Sequence, residues 1–336
     1  METLIYEKLK NDRVKCGICN HFCIIESGKR GLCHVRENRD GVLISLVYPR
    51  LIASSVDPIE KKPLYHLKPG STSYSVATVG CNLKCEFCQN AGIAQMPADR
   101  NGMIQGDTVY PGDIVEDAVR TGCDSISYTY TEPTVYLELA LETARLAKKK
   151  GLYNIFVTNG FMSPDVVQLL EPVLDAANVD LKAFNDRFYK KYCKASLEPV
   201  KENLKAMKAA GIMVEVTTLL IPGLNDDDTE IRDMTRFIAR DLGPETPWHV
   251  SRFHPSYRLT DVGPTRIQAL EQAARIGKAE GLYHVYTGNA PGLDTENTFC
   301  HACNKLLVDR YGYRIKNHMT TPGQCPACNT PLHGIY

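Results

Sequence analysis

The sequence predicts an α/β fold built on a parallel sheet, and three observations lead to this prediction. From residue 72 onward, strand-like apolar runs alternate with amphipathic helical stretches. Several of these stretches begin at a capping residue or end at a glycine, and about six strand–helix units can be counted. Strands that alternate with helices form βαβ units, which pair in parallel. In barrel-like folds of this class, function gathers on the loops after the carboxyl ends of the strands.

The predicted elements follow one another in a regular order. The strands are expected at residues 72–80, 125–130, 153–158, 178–182, 212–221, 248–254 and 284–287. The helices are expected at 133–150, from Ser163-Pro164 onward, at 200–210, after 225–228 and at 266–280. Serine followed by proline is a typical helix start, and acidic residues are favourable in the first turn of a helix.

Composition excludes some classes of function. The chain has 39 basic and 39 acidic residues, a formal net charge of +0 and 43% hydrophobic residues. A balanced charge gives no strong signal for nucleic-acid binding, which favours a basic patch or stripe. No apolar run is long enough to span a bilayer, and the first residues lack the layout of a signal peptide. We therefore expect a cytoplasmic protein that does not bind a membrane.

Three cysteines, Cys81, Cys85 and Cys88, form a C-x3-C-x2-C loop directly after the first predicted strand. Phe87 precedes the last of them. Three thiolates can hold three irons of a [4Fe–4S] cluster, which leaves the fourth iron open to a substrate or cofactor. The alternatives are three structural cysteines or three ligands of a zinc site. The spacing favours a cluster that takes part in chemistry.

Four cysteines near the carboxyl end form two C-x2-C pairs about twenty residues apart. They are Cys300, Cys303, Cys325 and Cys328. This spacing is typical of a zinc ribbon, a closed and structural site. The alternatives are a rubredoxin-like iron or a further iron–sulfur cluster.

Four more cysteines lie near the amino terminus, among the thirteen of the chain. They are Cys16, Cys19, Cys23 and Cys33, with His21 and His34 beside them as possible substitute ligands. Four thiolates can close a tetrahedral zinc site, and an auxiliary iron–sulfur cluster is the alternative.

We predict three parts: a Cys-rich metal-binding segment (1–70), an α/β domain (71–292) and a zinc-ribbon tail (293–336).

These motifs together resemble the radical S-adenosylmethionine (radical SAM) superfamily, and within it the AmmeMemoRadiSam-system enzymes, which are related to pyruvate formate-lyase activating enzymes. The resemblance rests on these segments: Cys16–Cys23, Cys81–Asn90, Tyr128–Thr134, Val157–Gly160, Asp180–Lys182, Ile221–Asn225, Trp248–Pro255, Tyr286–Asn289 and the final ribbon. It implies a partial (β/α)6 barrel. It also implies that a [4Fe–4S] cluster cleaves S-adenosylmethionine to a 5'-deoxyadenosyl radical, which abstracts hydrogen from a substrate.

The resemblance also implies cofactor contacts at matching positions. Glu132 matches the acidic residue of the superfamily's Gly-Gly-Glu motif, which receives the methionyl amine; its glycines are replaced here by tyrosine and threonine. Asn159, Asp180 and Lys182 would line the ribose or carboxylate, and Phe87 would flank the adenine.

Each of these positions also has a structural alternative. Glu132 can cap the following helix, and Asp180 and Lys182 can pair with each other at a strand end. Asn289, after a glycine, can be a turn residue. His254 is a candidate catalytic group whose alternative is a packed core histidine.

The substrate is expected to be a small molecule or a protein, and the electron donor a ferredoxin or flavodoxin. The resemblance implies two branches: activation of a glycyl radical enzyme, or a distinct modification alongside Memo-like and AMMECR-type proteins. The second branch is favoured because the extra cysteines lie at the two ends of the chain, not in an insert after the cluster loop. A non-catalytic zinc-binding interaction protein is the alternative from another class.

Overall fold

The computed structural model describes residues 1–290 and 295–336. The predicted domain boundary between residues 292 and 293 lies outside the described residues. The amino-terminal segment is built from short strands: β1 (Tyr6–Lys8), β2 (Val14–Cys16), β3 (Ile24–Ile25), β4 (Arg36–Arg39), β5 (Val42–Ser45), β6 (Arg50–Leu51) and β7 (Ala53–Pro58). β1, β2 and β3 form one antiparallel sheet, and β4 and β5 form a hairpin.

The central part alternates strands and helices as predicted. Its elements are β8 (Thr72–Ala77), α1 (Ala91–Ala94), α2 (Met96–Asp99), β9 (Asp107–Thr108), α3 (Pro111–Arg120), β10 (Ser125–Tyr128), α4 (Leu137–Lys149), β11 (Tyr153–Thr158), α5 (Pro164–Leu170), β12 (Ala176–Asp180), α6 (Asp186–Phe188), α7 (Glu198–Ala209), β13 (Met213–Leu220), α8 (Asp228–Phe237), β14 (Trp248–Arg252), α9 (Ile267–Ala279) and β15 (Val285–Gly288). The tail contains β16 (Thr298–Phe299), β17 (Leu306–Tyr311) and β18 (Arg314–Asn317).

One eight-stranded sheet organises the molecule. Its order is β15-β14-β13-β12-β11-β10-β8-β7, and every pair from β8 to β15 is parallel. Each parallel strand before β15 is followed by helix, which makes six βα units and a closing strand. The predicted α/β class with a partial (β/α)6 barrel is therefore confirmed. At the edge, β7 pairs with β8 in the antiparallel sense, which the sequence pattern did not predict.

Local sequence signals set several of these helices. The Asp227 side chain accepts hydrogen bonds from Thr229 and Glu230 N–H groups, so it caps α8. Ser163 precedes α5 at the capping position, but its hydroxyl donates to the Gly17 carbonyl at 2.6 Å. That helix start is therefore tied to the amino-terminal segment.

A glycine fixes how closely α9 approaches the sheet. A side chain on Gly277 would place Cβ 3.1 Å from the buried Trp248 ring and 3.2 Å from Val285. Such spacing is tighter than normal packing, so a side chain would push α9 away from β14 and β15. Within the described residues, no helix is both long and apolar enough to cross a membrane.

Candidate active site

The carboxyl ends of the parallel strands surround a cavity of about 1090 Å³. The three cysteines of the cluster loop lie in its wall: Cys81, Cys85 and Cys88. The same wall contains every residue predicted to contact the cofactor: Phe87, Glu132, Asn159, Asp180 and Lys182. These side chains come from four separate strand ends, so the sheet brings together residues about one hundred positions apart.

The cluster loop is held in shape by a π-helical turn, Tyr189–Cys193. Lys84 N–H donates to the Cys193 carbonyl at 2.9 Å, and Glu86 N–H donates to the Tyr192 carbonyl at 3.0 Å. Inside the loop, Leu83 N–H points at the Cys81 sulfur at 3.4 Å. An N–H group so placed stabilises a thiolate, as in iron–sulfur sites.

The three sulfurs suit a cluster better than a single ion. In the described residues, the only group of three or more cysteine, histidine or acidic side chains whose ligand atoms all lie within 4.8 Å of one another is that of the four tail cysteines. Burial raises the pKa of Cys88 to about 11 and that of Cys81 well above its usual value. Loss of the thiol protons is therefore coupled to metal binding.

Glu132 is buried and accepts four hydrogen bonds. Its Oε1 accepts from Thr134 N–H at 3.1 Å, from the Thr134 hydroxyl at 2.5 Å and from the Thr158 hydroxyl at 2.7 Å. Its Oε2 accepts one bond, from Asn159 N–H at 2.8 Å. Burial raises the pKa of Glu132, and these donors partly offset the effect. Glu132 caps the following turn, and it also faces the cavity.

Asn159 links β11 to the cluster loop. Its Nδ2 donates to Asn82 Oδ1 at 2.8 Å and lies 3.8 Å from the Cys81 sulfur. Its Oδ1 accepts from Phe161 N–H at 2.9 Å. Both ends of the amide are thus fixed, so Asn159 positions the loop as well as lining the cavity.

Asp180 and Lys182 form an ion pair at the end of β12, with 2.8 Å between Lys182 Nζ and Asp180 Oδ2. Burial alone would lower the pKa of Lys182, but the Asp180 carboxylate raises it well above its usual value. The Lys182 ammonium lies 5.9 Å from the centre of the Phe87 ring. The pairing alternative is therefore realised, while both side chains remain in the cavity wall.

The histidine of β14 that reaches the cavity is His249. His254 is exposed and does not contribute to the described cavity wall. His249 Nε2 lies 2.6 Å from Glu215 Oε2. Burial alone would raise the pKa of Glu215, but the hydrogen bond and charge of His249 hold it below its usual value. In a strand, side chains two positions apart lie on the same face. This alternation along the predicted strand at 248–254 could have identified His249 as a residue that faces the cavity.

The far wall of the cavity is polar and was not predicted. Glu60 and Arg310 meet there, with Arg310 Nε 3.8 Å from Glu60 Oε1. Glu60 Oε2, Arg310 Nε and the Thr217 hydroxyl are buried without a hydrogen-bond partner in residues 1–290 and 295–336. The Arg310 guanidinium also lies 4.3 Å from the centre of the Tyr65 ring. Buried polar groups normally have partners, so this wall is suited to a polar ligand.

The tail cysteines form a compact tetrad. Cys300 and Cys328 sulfurs lie 3.6 Å apart, as do those of Cys303 and Cys325. Thiolates bound to one tetrahedral zinc at about 2.3 Å are about 3.8 Å apart. The tail therefore has the geometry of a single-ion site, and the predicted ribbon shape is confirmed.

The chain is similar to several known proteins. The model of the radical SAM superfamily matches residues 75–235. An uncharacterised protein of Methanocaldococcus jannaschii is 47% identical over 98% of both chains. Pyruvate formate-lyase 1-activating enzyme of Escherichia coli is 25% identical, over 59% of this chain and 85% of its own.

A solved structure shares the fold. A radical SAM methyltransferase from Sphaerobacter thermophilus superposes with a TM-score of 0.51 at 16% identity, over 71% of each chain. At this identity the likeness concerns the fold alone.

Proposed function

Since the chain belongs to the radical SAM superfamily and is an enzyme of that class, we propose that it abstracts hydrogen from a small polar substrate held in the strand-end cavity. A [4Fe–4S] cluster on Cys81, Cys85 and Cys88, with S-adenosylmethionine, would supply a 5'-deoxyadenosyl radical. The observation that supports this proposal is that these cysteines, Glu132 and Lys182 line one cavity.

The proposed roles follow from chemistry. Glu132 receives the methionyl amine on Oε2, which accepts a single hydrogen bond within the described structure. Asp180 accepts ribose hydroxyls, and Lys182 faces the carboxylate. Phe87 packs against Phe188 at 5.6 Å between ring centres and presents the remaining part of its surface toward the adenine. Together these residues orient the cofactor and keep water from the radical.

The polar wall supports a small substrate with hydrogen-bonding and charged groups. Arg310 offers its Nε–H to a carboxylate or phosphate, since its two terminal nitrogens already donate within the chain. Glu60 and His249 line the same cavity. The tail hairpin, through Tyr311, Gly312 and Tyr313, forms part of the same wall. By the resemblance described above, we propose that this substrate is shared with Memo-like and AMMECR-type proteins and that a ferredoxin or flavodoxin is the electron donor.

Activation of a glycyl radical enzyme is the second candidate. It is supported by the names of two relatives: the pyruvate formate-lyase 1-activating enzyme and a putative glycyl-radical enzyme activating enzyme of Methanocaldococcus jannaschii, the latter 29% identical over half of this chain. A backbone glycine on a partner must enter the cavity in that reaction, and the tail hairpin occupies part of the cavity wall. Membership in an enzyme superfamily argues against a non-catalytic zinc-binding protein.

The test is anaerobic reconstitution with iron and sulfide, followed by dithionite and S-adenosylmethionine. We expect 5'-deoxyadenosine and methionine from the wild type and from Cys123→Ser, a buried cysteine outside the cavity wall. We expect neither product from Cys85→Ser. Failure of the wild type to cleave S-adenosylmethionine would contradict the proposal. Deuterium transfer into 5'-deoxyadenosine from a labelled metabolite would support the first candidate. Transfer from a labelled glycine-containing protein would support the second.

A further inference from the structure

The four amino-terminal cysteines line a second cavity, separate from the active site. Cys16 closes β2, Cys19 and Cys23 follow it, and Cys33 precedes β4. The other residues around this cavity are Ile18, His21, Ile25, Gly31, Leu32, Arg36 and Val135. Except for His21 and Arg36, the lining consists of cysteine and apolar groups. A hydrated ion is therefore disfavoured there.

The cavity is too wide for one tetrahedral ion. No three of its thiol and imidazole groups come within 4.8 Å of one another, whereas the tail cysteines do so in the same described structure. Thiolates around a [4Fe–4S] cluster stand farther apart than those around one zinc, because irons and sulfides lie between them. The spacing therefore favours a cluster.

An unpaired donor points to the same ligand. Arg36 is buried, and its two terminal nitrogens are bound to Glu138 at 2.8 and 2.9 Å. Its Nε lines this region but has no hydrogen-bond partner among the described residues. N–H groups that donate to cluster sulfurs are a known determinant of reduction potential. The buried N–H of Arg36 therefore suits a sulfide or thiolate acceptor. A closed zinc site contains thiolates but no sulfides, so it has fewer sulfur acceptors than a cluster.

The cavity adjoins the cluster loop of the active site. His21 lies in its wall, and His21 Nε2 is 2.8 Å from the carbonyl of Asn82, next to Cys81. A Cβ on Gly80 would lie 2.6 Å from Val35, so the loop presses directly on the amino-terminal segment. The amino-terminal cysteine set therefore lies next to the cluster loop, and the hydrogen bond between His21 and Asn82 joins the two segments.

We infer that Cys16, Cys19, Cys23 and Cys33 bind a second, fully ligated [4Fe–4S] cluster, with Arg36 as a hydrogen-bond donor to it. Of the two alternatives that the sequence leaves open, zinc and an auxiliary cluster, the geometry points to the cluster. The inference concerns a site apart from the proposed active site and does not depend on the reaction carried out there.

The decisive measurement is the metal content of the Cys81→Ala/Cys85→Ala/Cys88→Ala variant after anaerobic reconstitution. We expect about eight irons per wild-type chain and about four in this variant, four for each cluster, with zinc only in the tail. The Cys19→Ser/Cys23→Ser variant should also hold about four irons and should still cleave S-adenosylmethionine. Iron near zero in the triple variant with two zinc per wild-type chain would overturn the inference.

A second readout tests Arg36 and leaves the four amino-terminal cysteines unchanged. Arg36→Lys keeps a cation beside Glu138 but removes Nε–H. In the triple alanine background we expect the reduction potential of the remaining cluster to fall, because a hydrogen bond to sulfur is lost. An unchanged potential in a folded variant would contradict the placement of Arg36. Cleavage of S-adenosylmethionine by the wild type is measured in a separate assay. If the proposed function fails there, the reduction potential of the remaining cluster still tests this inference.

Discussion

Glu132→Gln separates cofactor binding from helix capping. The carboxylate accepts four hydrogen bonds, three at Oε1 and one at Oε2. Glutamine keeps an oxygen at only one of these two positions, so its amide nitrogen faces an N–H or hydroxyl donor in either orientation. If Oε1 keeps its three partners, the glutamine nitrogen faces Asn159 N–H and the cavity. The variant therefore loses the charge and the acceptor that the methionyl amine would use.

The size of the effect follows from one charge-assisted hydrogen bond. Such a bond contributes about 1.5–3 kcal/mol. Because each 1.4 kcal/mol is a tenfold change in affinity, S-adenosylmethionine should bind about 10- to 150-fold more weakly. A comparable loss of folding stability, about 1–3 kcal/mol, is expected from the unpaired Asn159 N–H group.

The assay is anaerobic equilibrium dialysis of S-adenosylmethionine with cluster-loaded protein. The matched control is Thr158→Val, which removes the 2.7 Å bond to Glu132 Oε1 and the 3.1 Å bond from Gly160 N–H but leaves the carboxylate and Oε2 intact. This control should lose about 1–3 kcal/mol of stability and keep its affinity for the cofactor. If Glu132→Gln binds as tightly as Thr158→Val, Glu132 is a helix cap and the reasoning is refuted.

Two further predictions concern stability. Gly80→Ala should lower the free energy of unfolding by about 1–3 kcal/mol and lower the thermal midpoint, because its Cβ would lie 2.6 Å from Val35 at a φ of +103°. The control Gly122→Ala, at φ +69° in open space, should lose less stability. Equal losses in the two variants would contradict the packing argument. Burial lowers the pKa of His284 well below 6.5, so only the unfolded state gains its proton as pH falls below 6.5, and stability should fall by up to about 1.4 kcal/mol per pH unit. Denaturant midpoints at pH 7.5 and 5.5 should differ less in His284→Gln than in the wild type, whereas exposed His254→Gln should keep the wild-type difference; an unchanged slope in His284→Gln would refute this assignment.

Local pattern was enough to predict the central sheet. The strand at 153–158 and the helices near 200–210 and 266–280 are found within two residues of their predicted bounds. Their alternation and capping residues act within a few positions of the chain, so they are readable without tertiary contacts. Pro111–Arg120 was missed as a helix, although its amphipathic pattern and the proline at its first turn are recognisable signals.

The cysteine spacings likewise predicted three sets of metal ligands, because ligands on one short loop must lie close together. The spacings could not determine how far apart the sulfurs of each set lie. The tail tetrad closes to single-ion distances, whereas the amino-terminal set surrounds a cavity beside Arg36. That width depends on how the segment packs against the cluster loop through His21 and Gly80.

Only the tertiary structure decided the polar wall of the cavity, where we propose that the substrate binds. Arg310 reaches the carbonyl of Tyr65 across 245 positions of sequence at 2.8 Å, and Glu60 joins them from the segment before β8. No spacing rule connects residues so far apart, since their approach depends on the tail docking over the barrel. The sequence by itself therefore determined the fold class and pointed to the cysteines for which we propose radical generation. The packing of the two ends of the chain decided which polar groups face them.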